Sequence, residues 1–229
     1  VIVNTVVYVR EQLGGDQVDT AFALGAYGFG SMAAALLLPR IVERTGDRPL
    51  MLAGASLLAV GLIAGTQRLS LGSLFGTWLI LGAGASLVQT QAGRLLTRSA
   101  TAETRSPLFA AQFTLSHACW LVTYPLAGWG GATFGMEITF TLLAGIAAAS
   151  TLVASRAWPP GDPIELEHTH TATTHIHPHS HDGRHHQHEH GATTSEPHEH
   201  EHSHPAVTHT HAYVIDRDHP VWPNSNRAS

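Results

Sequence analysis

Seventeen of the 18 histidines of this 229-residue chain fall between His168 and His219, and most alternate with other residues as His-x-His. The clusters are His168 and His170; His175, His177, His179 and His181; His185, His186, His188 and His190; His198, His200, His202 and His204; and His209 and His211. A neutral imidazole donates a lone pair to Zn, Ni, Co or Cu. Closely spaced rings can bring two to four nitrogens to one ion, with interleaved Glu and Asp filling further positions. These sixteen histidines are the candidate metal ligands; a solvated low-complexity tail is the alternative reading. His198, Glu199 and His202 match HExxH in form, but that motif needs a helix with both histidines on one face. Pro197 and Pro205 leave only seven residues between them, so protease chemistry is excluded. There is no GxxxxGK[ST] phosphate loop, no glycine-rich dinucleotide fingerprint and no paired catalytic set. The reading is a non-enzyme that requires no cofactor, with a tail that binds Zn, Ni, Co or Cu.

The remaining histidine, His117, lies deep in an apolar stretch with Gln112, Ser116, Cys119, Trp120 and Tyr124. Polar groups at membrane depth are costly and usually face a cavity or another helix. At helical spacing His117 shares a face with Phe113, Trp120 and Tyr124, while Gln112 and Ser116 form an adjacent strip. An imidazole there can take a proton or touch a cation, or it can serve as a neutral hydrogen-bonding link between helices. Both roles stay open. Gln89, Gln91, Asn4 and Tyr8 are further candidates for a substrate pathway, with packing as their alternative. Pro125 lacks an N–H and is expected to kink its helix beside Tyr124.

Composition shows which elements must position these groups. Residues 1–158 carry nine Arg and seven acids, whereas residues 159–229 carry three Arg and ten acids, within a net charge of −5. The two parts are built for different solvents. Five stretches in the first part, 20–38, 50–67, 72–93, 108–130 and 134–154, are long and apolar enough to be transmembrane helices. Residues 1–9 read VIVNTVVYV and stop at Arg10 and Glu11, as the last turns of an earlier, truncated helix would. The chain has neither a start methionine nor a signal-peptide pattern, which places it inside a longer protein. The fold expected is all-α, a polytopic helix bundle in contact with the lipid bilayer, followed by a tail from residue 159. That tail has no apolar period and is expected to be disordered without a ligand.

Arginine placement orients the bundle. One set of connections holds Arg40, Arg44, Arg48, Arg94, Arg98, Arg105 and Arg156; the alternate set holds only Arg10 and Arg68. The positive-inside rule therefore puts connections 39–49 and 94–107, and the tail, in the cytoplasm, with the acidic stretch 11–19 outside. This is the pattern of a multi-pass plasma (inner) membrane protein. The basic residues are all Arg and too few for nucleic acid, and the lone Cys119 can form no intrachain disulfide. Small-residue repeats at Gly61 and Gly65, Gly72 and Gly76, and Ala26, Gly30 and Ala34 suit close helix packing.

The connection 39–49 carries Glu43, Arg44, Gly46 and Arg48 in a spacing that resembles the loop motif of the major facilitator superfamily, with Pro39 where the motif has Gly and Asp47 where it has Arg. That motif lies between helices 2 and 3 and again, degenerated, between helices 8 and 9. The imperfect copy resembles the second. The resemblance implies that the five spans are helices 8 to 12 of a twelve-helix transporter, preceded by the end of helix 7. The missing N-terminal half of the same protein would then be its partner around a central site, and this chain would supply one wall. It further implies a secondary active transporter, read here as an exporter of a divalent metal ion (Ni, Co or Zn) or of a small organic compound. Some nickel-resistance members of that family carry His-rich C-termini. A membrane-anchored metal buffer or sensor without transport activity is the competing function.

Overall fold

The structure is a computed structural model that describes residues 2–158, 160, 165–170, 173–179, 198–204, 206–215 and 219. Six helices come first: α1 (Ile2–Val7), continued by a π-helical turn (Tyr8–Gln12), then α2 (Gln17–Thr45), α3 (Asp47–Ala64), α4 (Leu71–Arg98), α5 (Ala102–Phe134) and α6 (Met136–Ala157). Each of the five apolar stretches falls on one of α2 to α6. Among the described residues, α2, α3, α4 and α6 are long and apolar enough to cross a membrane. The longest helix, α5 with 33 residues, falls outside that set because Gln112, His117 and other polar groups dilute it. Large side chains such as Phe22, Phe29, Leu36, Leu121 and Val153 point outward, as befits a bundle whose solvent is lipid.

Except at the end of α3, which stops at Ala64, and at the start of α6, which begins at Met136, the helices outrun the apolar stretches, which corrects the expected connections. Residues 39–49 are not a loop: α2 continues through Pro39 to Thr45, α3 begins at Asp47, and only Gly46 lies between them. Leu38 and Val42 are buried against Leu50, with Leu87 alongside, and this packing outweighs the backbone bond lost at Pro39. Likewise Arg94 and Arg98 belong to the end of α4, and Arg105 to the start of α5. Hydropathy measures the ~30 Å hydrocarbon core, whereas a helix can run on through the headgroup zone. Capping fixes where the helices start. The Asp16 side chain accepts from the N–H groups of Val18 and Asp19, and the Asp19 carboxylate accepts from the N–H of Asp16. Ser70 with Ser73 and Thr101 with Thr104 form equivalent boxes. Gly46 (φ 80°) and Gly135 (φ 83°) are each the single residue joining two helices, in a backbone region open to glycine.

Helix α4 is central, packed between α2 and α3, and α3 also packs on α6. Glycine makes this possible. A Cβ added at Gly30 would run into the Leu79 carbonyl, and one at Gly82 into the Tyr27 carbonyl oxygen, so α2 and α4 touch backbone to backbone. Gly54 and Gly84 do the same between α3 and α4, each 2.7 to 2.8 Å from the other's carbonyl oxygen by that measure. Of the repeats seen in the sequence, Gly61 and Gly65 meet the Leu81 and Phe140 side chains, while Gly72 and Gly76 face open space. Gly82→Ala is therefore expected to destabilise the bundle by about 1–3 kcal/mol through overpacking, and Gly72→Ala to have no such effect. Thermal unfolding of both variants in detergent checks this.

Two apolar clusters sit at opposite ends of the helices. One comprises Tyr8, Val9, Ala23, Leu74, Trp78, Leu81, Met136 and Phe140; the other is Leu38, Val42 and Leu50. The Tyr8 ring lies 5.9 Å from both Trp78 and Phe140, and the Trp78 indole N–H donates to Thr5 Oγ1 at 2.9 Å.

Among the described residues of the tail there are four strands in two pairs. Strand β1 (Glu165–His170) pairs antiparallel with β4 (Val207–Ala212), and β2 (Thr173–His179) with β3 (His198–His204). The alternation of imidazole with Thr, Ile, Pro, Glu and Ser has the strand period of two, although it is not an apolar alternation. Pro178 is tolerated because a two-stranded ribbon has no interior strand. The chain divides into two units. The ribbons form one unit, and residues 213–215 belong with the helices in the other. There Tyr213 and Ile215 are buried, and the Ile215 N–H donates to the Arg98 carbonyl at 2.8 Å.

Candidate functional site

The polar strip forms on α5 as the spacing predicts. Ring centroids run Phe113 to His117 at 3.8 Å, His117 to Trp120 at 4.6 Å and Trp120 to Tyr124 at 5.9 Å, the last pair stacked. His117 Nδ1 lies 2.8 Å from the Phe113 carbonyl. A carbonyl oxygen only accepts, so Nδ1 carries the proton in this bond. Ser116 Oγ also donates to Phe113 O at 2.8 Å and sits 3.4 Å from Nδ1. All these partners belong to α5 itself. Gln112, His117, Trp120 and Tyr124 are exposed and Ser116 is half-buried. The opposite half of α5 is aliphatic, with Leu115 and Val122 both well exposed. The helix thus offers two different outer surfaces, one aromatic and polar, the other suited to lipid. Its packing against its neighbours is carried by Ala127 and Gly130, buried near its C-terminal end. Pro107 and Pro125 both lie inside one continuous helix.

The other pathway candidates sit elsewhere. Asn4 and Tyr8 are buried inside the bundle: Asn4 Nδ2 donates to Ala127 O at 3.1 Å, and the Tyr8 hydroxyl to Gln67 O at 2.9 Å. Gln89 is exposed, whereas Gln91, two residues along α4, is wholly buried with neither amide atom hydrogen-bonded. A mixed polar and apolar cavity of about 530 Å³ opens at the end of the bundle where Tyr8, Gln12, Gln67, Arg68 and Glu137 meet.

At the opposite end the loop-motif residues occupy helix ends. Glu43 and Arg44 are in the last turn of α2, Gly46 is the hinge, and Arg48 is in the first turn of α3. Arg48 ties down the end of α6, with Nε donating to Trp158 O at 2.7 Å and an Nη to Ser155 O at 2.8 Å. Asp47, which departs from the motif, is buried; its two oxygens accept from Arg94 Nε at 2.9 Å and Arg98 Nη1 at 3.2 Å. Sequence reasoning missed this cluster. The available signal was a pair of arginines four residues apart at the end of one apolar stretch and a lone acid at the start of another.

Among the tail candidates, His181, His185, His186, His188 and His190 lie outside the described residues. The others lie on the four strands, where register pairs His168 with His209, His175 with His202, His177 with His200 and His179 with His198. His209 is exposed, and the Thr169 and Thr208 hydroxyls meet at 2.8 Å across the same ribbon. Among the described side chains no cluster of three or more His, Cys, Asp or Glu is close enough to hold a metal ion.

The long apolar helices, two pairs of them joined by a single glycine, and the tight glycine contacts around α4 fit a membrane helix bundle. The sequence profile of the Major Facilitator Superfamily matches residues 1–194, spanning every helix and reaching into the histidine clusters. The chain belongs to the Major Facilitator Superfamily. Members of the Major Facilitator Superfamily are integral membrane secondary transporters rather than enzymes, and that coarse function applies here. No curated protein matches the chain with significant similarity.

Proposed function

We propose that the chain is the C-terminal half of an exporter in the plasma (inner) membrane, joined to an N-terminal half of the same protein, with the α5 strip as one wall of the substrate path and a metal-binding tail in the cytoplasm. The observation that carries this reading is the aromatic and polar face of α5, where His117 is exposed and, among the described residues, hydrogen-bonds within its own helix. The degenerate motif at Glu43, Arg44, Gly46 and Arg48 supports assignment to the second half, and the seven-to-two arginine imbalance supports a cytoplasmic tail. The strip has rings and amides but no carboxylate, which suits a small organic compound, a cationic one above all, better than a naked divalent ion. His117 is the group that exchanges a proton with the path. Divalent metal as cargo (Ni, Co or Zn) is the second reading, favoured by the histidines paired across the ribbons.

Transport separates from simple metal buffering in vesicles reconstituted with the protein. Excising residues 165–212 should leave the initial rate of proton-driven movement of a fluorescent organic cation or of Ni²⁺ unchanged. A rate abolished by that excision would favour a membrane-anchored metal buffer or sensor instead.

A further inference from the structure

Beyond its strands the chain returns to the helical unit. Tyr213, Ile215 and His219 are buried there, and the Tyr213 and His219 rings meet edge to face with centroids 4.9 Å apart. The Ile215 N–H donates at 2.8 Å to the carbonyl oxygen of Arg98, the last residue of α4. The final carbonyls of a helix find no donor within it, so a residue far along the chain caps α4. Ala100, between α4 and α5, is wholly buried at the same end. The start of the tail is fixed there too. Arg48 donates to the Ser155 and Trp158 carbonyls, while Asp47, its neighbour in sequence, accepts from Arg98. Both flanks of residues 159–212 are therefore anchored on one end of the helical unit, one by Arg48 and the other by Arg98, and the Asp47–Arg98 pair joins the two anchors.

We propose, given the transporter reading with this end in the cytoplasm, that Tyr213, Ile215 and His219 form an autoinhibitory clasp on the end of α4 that slows transport while it is docked. Both α2 and α3 pack on α4, and α5, which carries His117, starts at Ala102, just beyond the clasped carbonyl. Holding that corner restrains the base of α5 as well. Alternating access moves one bundle or repeat against another, and a contact made in one conformation and lost in another favours the first by its own free energy. The clasp is such a contact. Docking takes two large side chains out of water and closes a hydrogen bond, yet the residues that make it lie at the far end of the tail, so it can open without unfolding a helix. Because residues 159–212 lie between the two anchors, an event that compacts or stretches them acts on the bundle through Trp158 and Ile215.

The test releases the clasp in two ways, by Tyr213→Ala with Ile215→Ala in the full chain and by ending the chain after Ala212, with Ile215→Val as the variant that keeps both the N–H and an apolar side chain. Two readouts are taken. Hydrogen exchange in detergent follows the amide at position 215, and the initial rate of proton-driven flux of a fluorescent organic cation or of Ni²⁺ in reconstituted vesicles is divided by the amount of folded protein. The amide should be protected in the unaltered chain and in Ile215→Val, and should exchange freely in the double variant. Flux should rise at least about threefold in the double variant and in the shortened chain, the shift expected from losing little more than the hydrogen bond, and should be unchanged in Ile215→Val. Flux that fails to rise in one or both released forms would overturn the autoinhibition and leave the transporter reading standing. Free exchange at position 215 in the unaltered chain would overturn the docking itself. A protected amide with no flux from any form would remove the transporter reading, and with it the regulation.

Discussion

Replacing Asp47 with alanine is expected to destabilise the folded bundle by about 2–3 kcal/mol, since it removes a buried carboxylate that accepts charged hydrogen bonds from two partly exposed arginines. Its side chain is 5% exposed, and each oxygen accepts a bond from a different arginine. The carboxylate also lies in the first turn of α3, where the helix dipole favours negative charge, so the substitution removes two favourable terms together. Arg94 and Arg98 would remain at the end of α4, an end that favours cations. That recovers less than about 1 kcal/mol at an exposed site, too little to offset the loss. The arginines are not equivalent: the Arg94 side chain is 50% exposed and that of Arg98 is 18% exposed. Arg94→Ala should therefore cost no more than about 1 kcal/mol, with Arg98→Ala between it and Asp47→Ala. Thermal unfolding in detergent should rank the three in that order. An Asp47→Ala variant as stable as Arg94→Ala would show that the cluster does not hold α3 to α4.

Four of the five apolar stretches and the aromatic face of α5 were legible because each is a local pattern: a run of apolar residues, or offsets of three, four and seven. His117, Phe113, Trp120 and Tyr124 line up as those offsets require. Helix ends were not legible, because hydropathy stops where charge begins while hydrogen bonding does not. Arg94 and Arg98 are helical and engage Asp47 from there. Pro39 reads as a break, but Leu38 and Val42 hold the helix through it. Close approach was half visible. Gly30 stood out in a repeat, yet its partner Gly82 did not, since pairing two helices is a tertiary fact. The burial of Asn4, Tyr8 and Gln91 has the same origin.

The reading of α5 as a wall of the path depends most on His117. The side chain is exposed and, among the described residues, its hydrogen bonds return to its own helix, so little of the bundle's stability should rest on it. The cost in stability should stay within about 0.5 kcal/mol. If Nε2 meets the substrate or its coupling proton, losing a polar contact of about 1.4 kcal/mol lowers transport roughly tenfold. The deciding measurement is the initial rate of proton-driven flux in reconstituted vesicles, divided by the amount of folded protein in the same vesicles, for the unaltered protein and His117→Ala. The account predicts that this ratio falls at least about tenfold while protein abundance is unchanged. A ratio that stays constant, with rate and abundance falling together or neither falling, would contradict it and leave His117 as a packing residue.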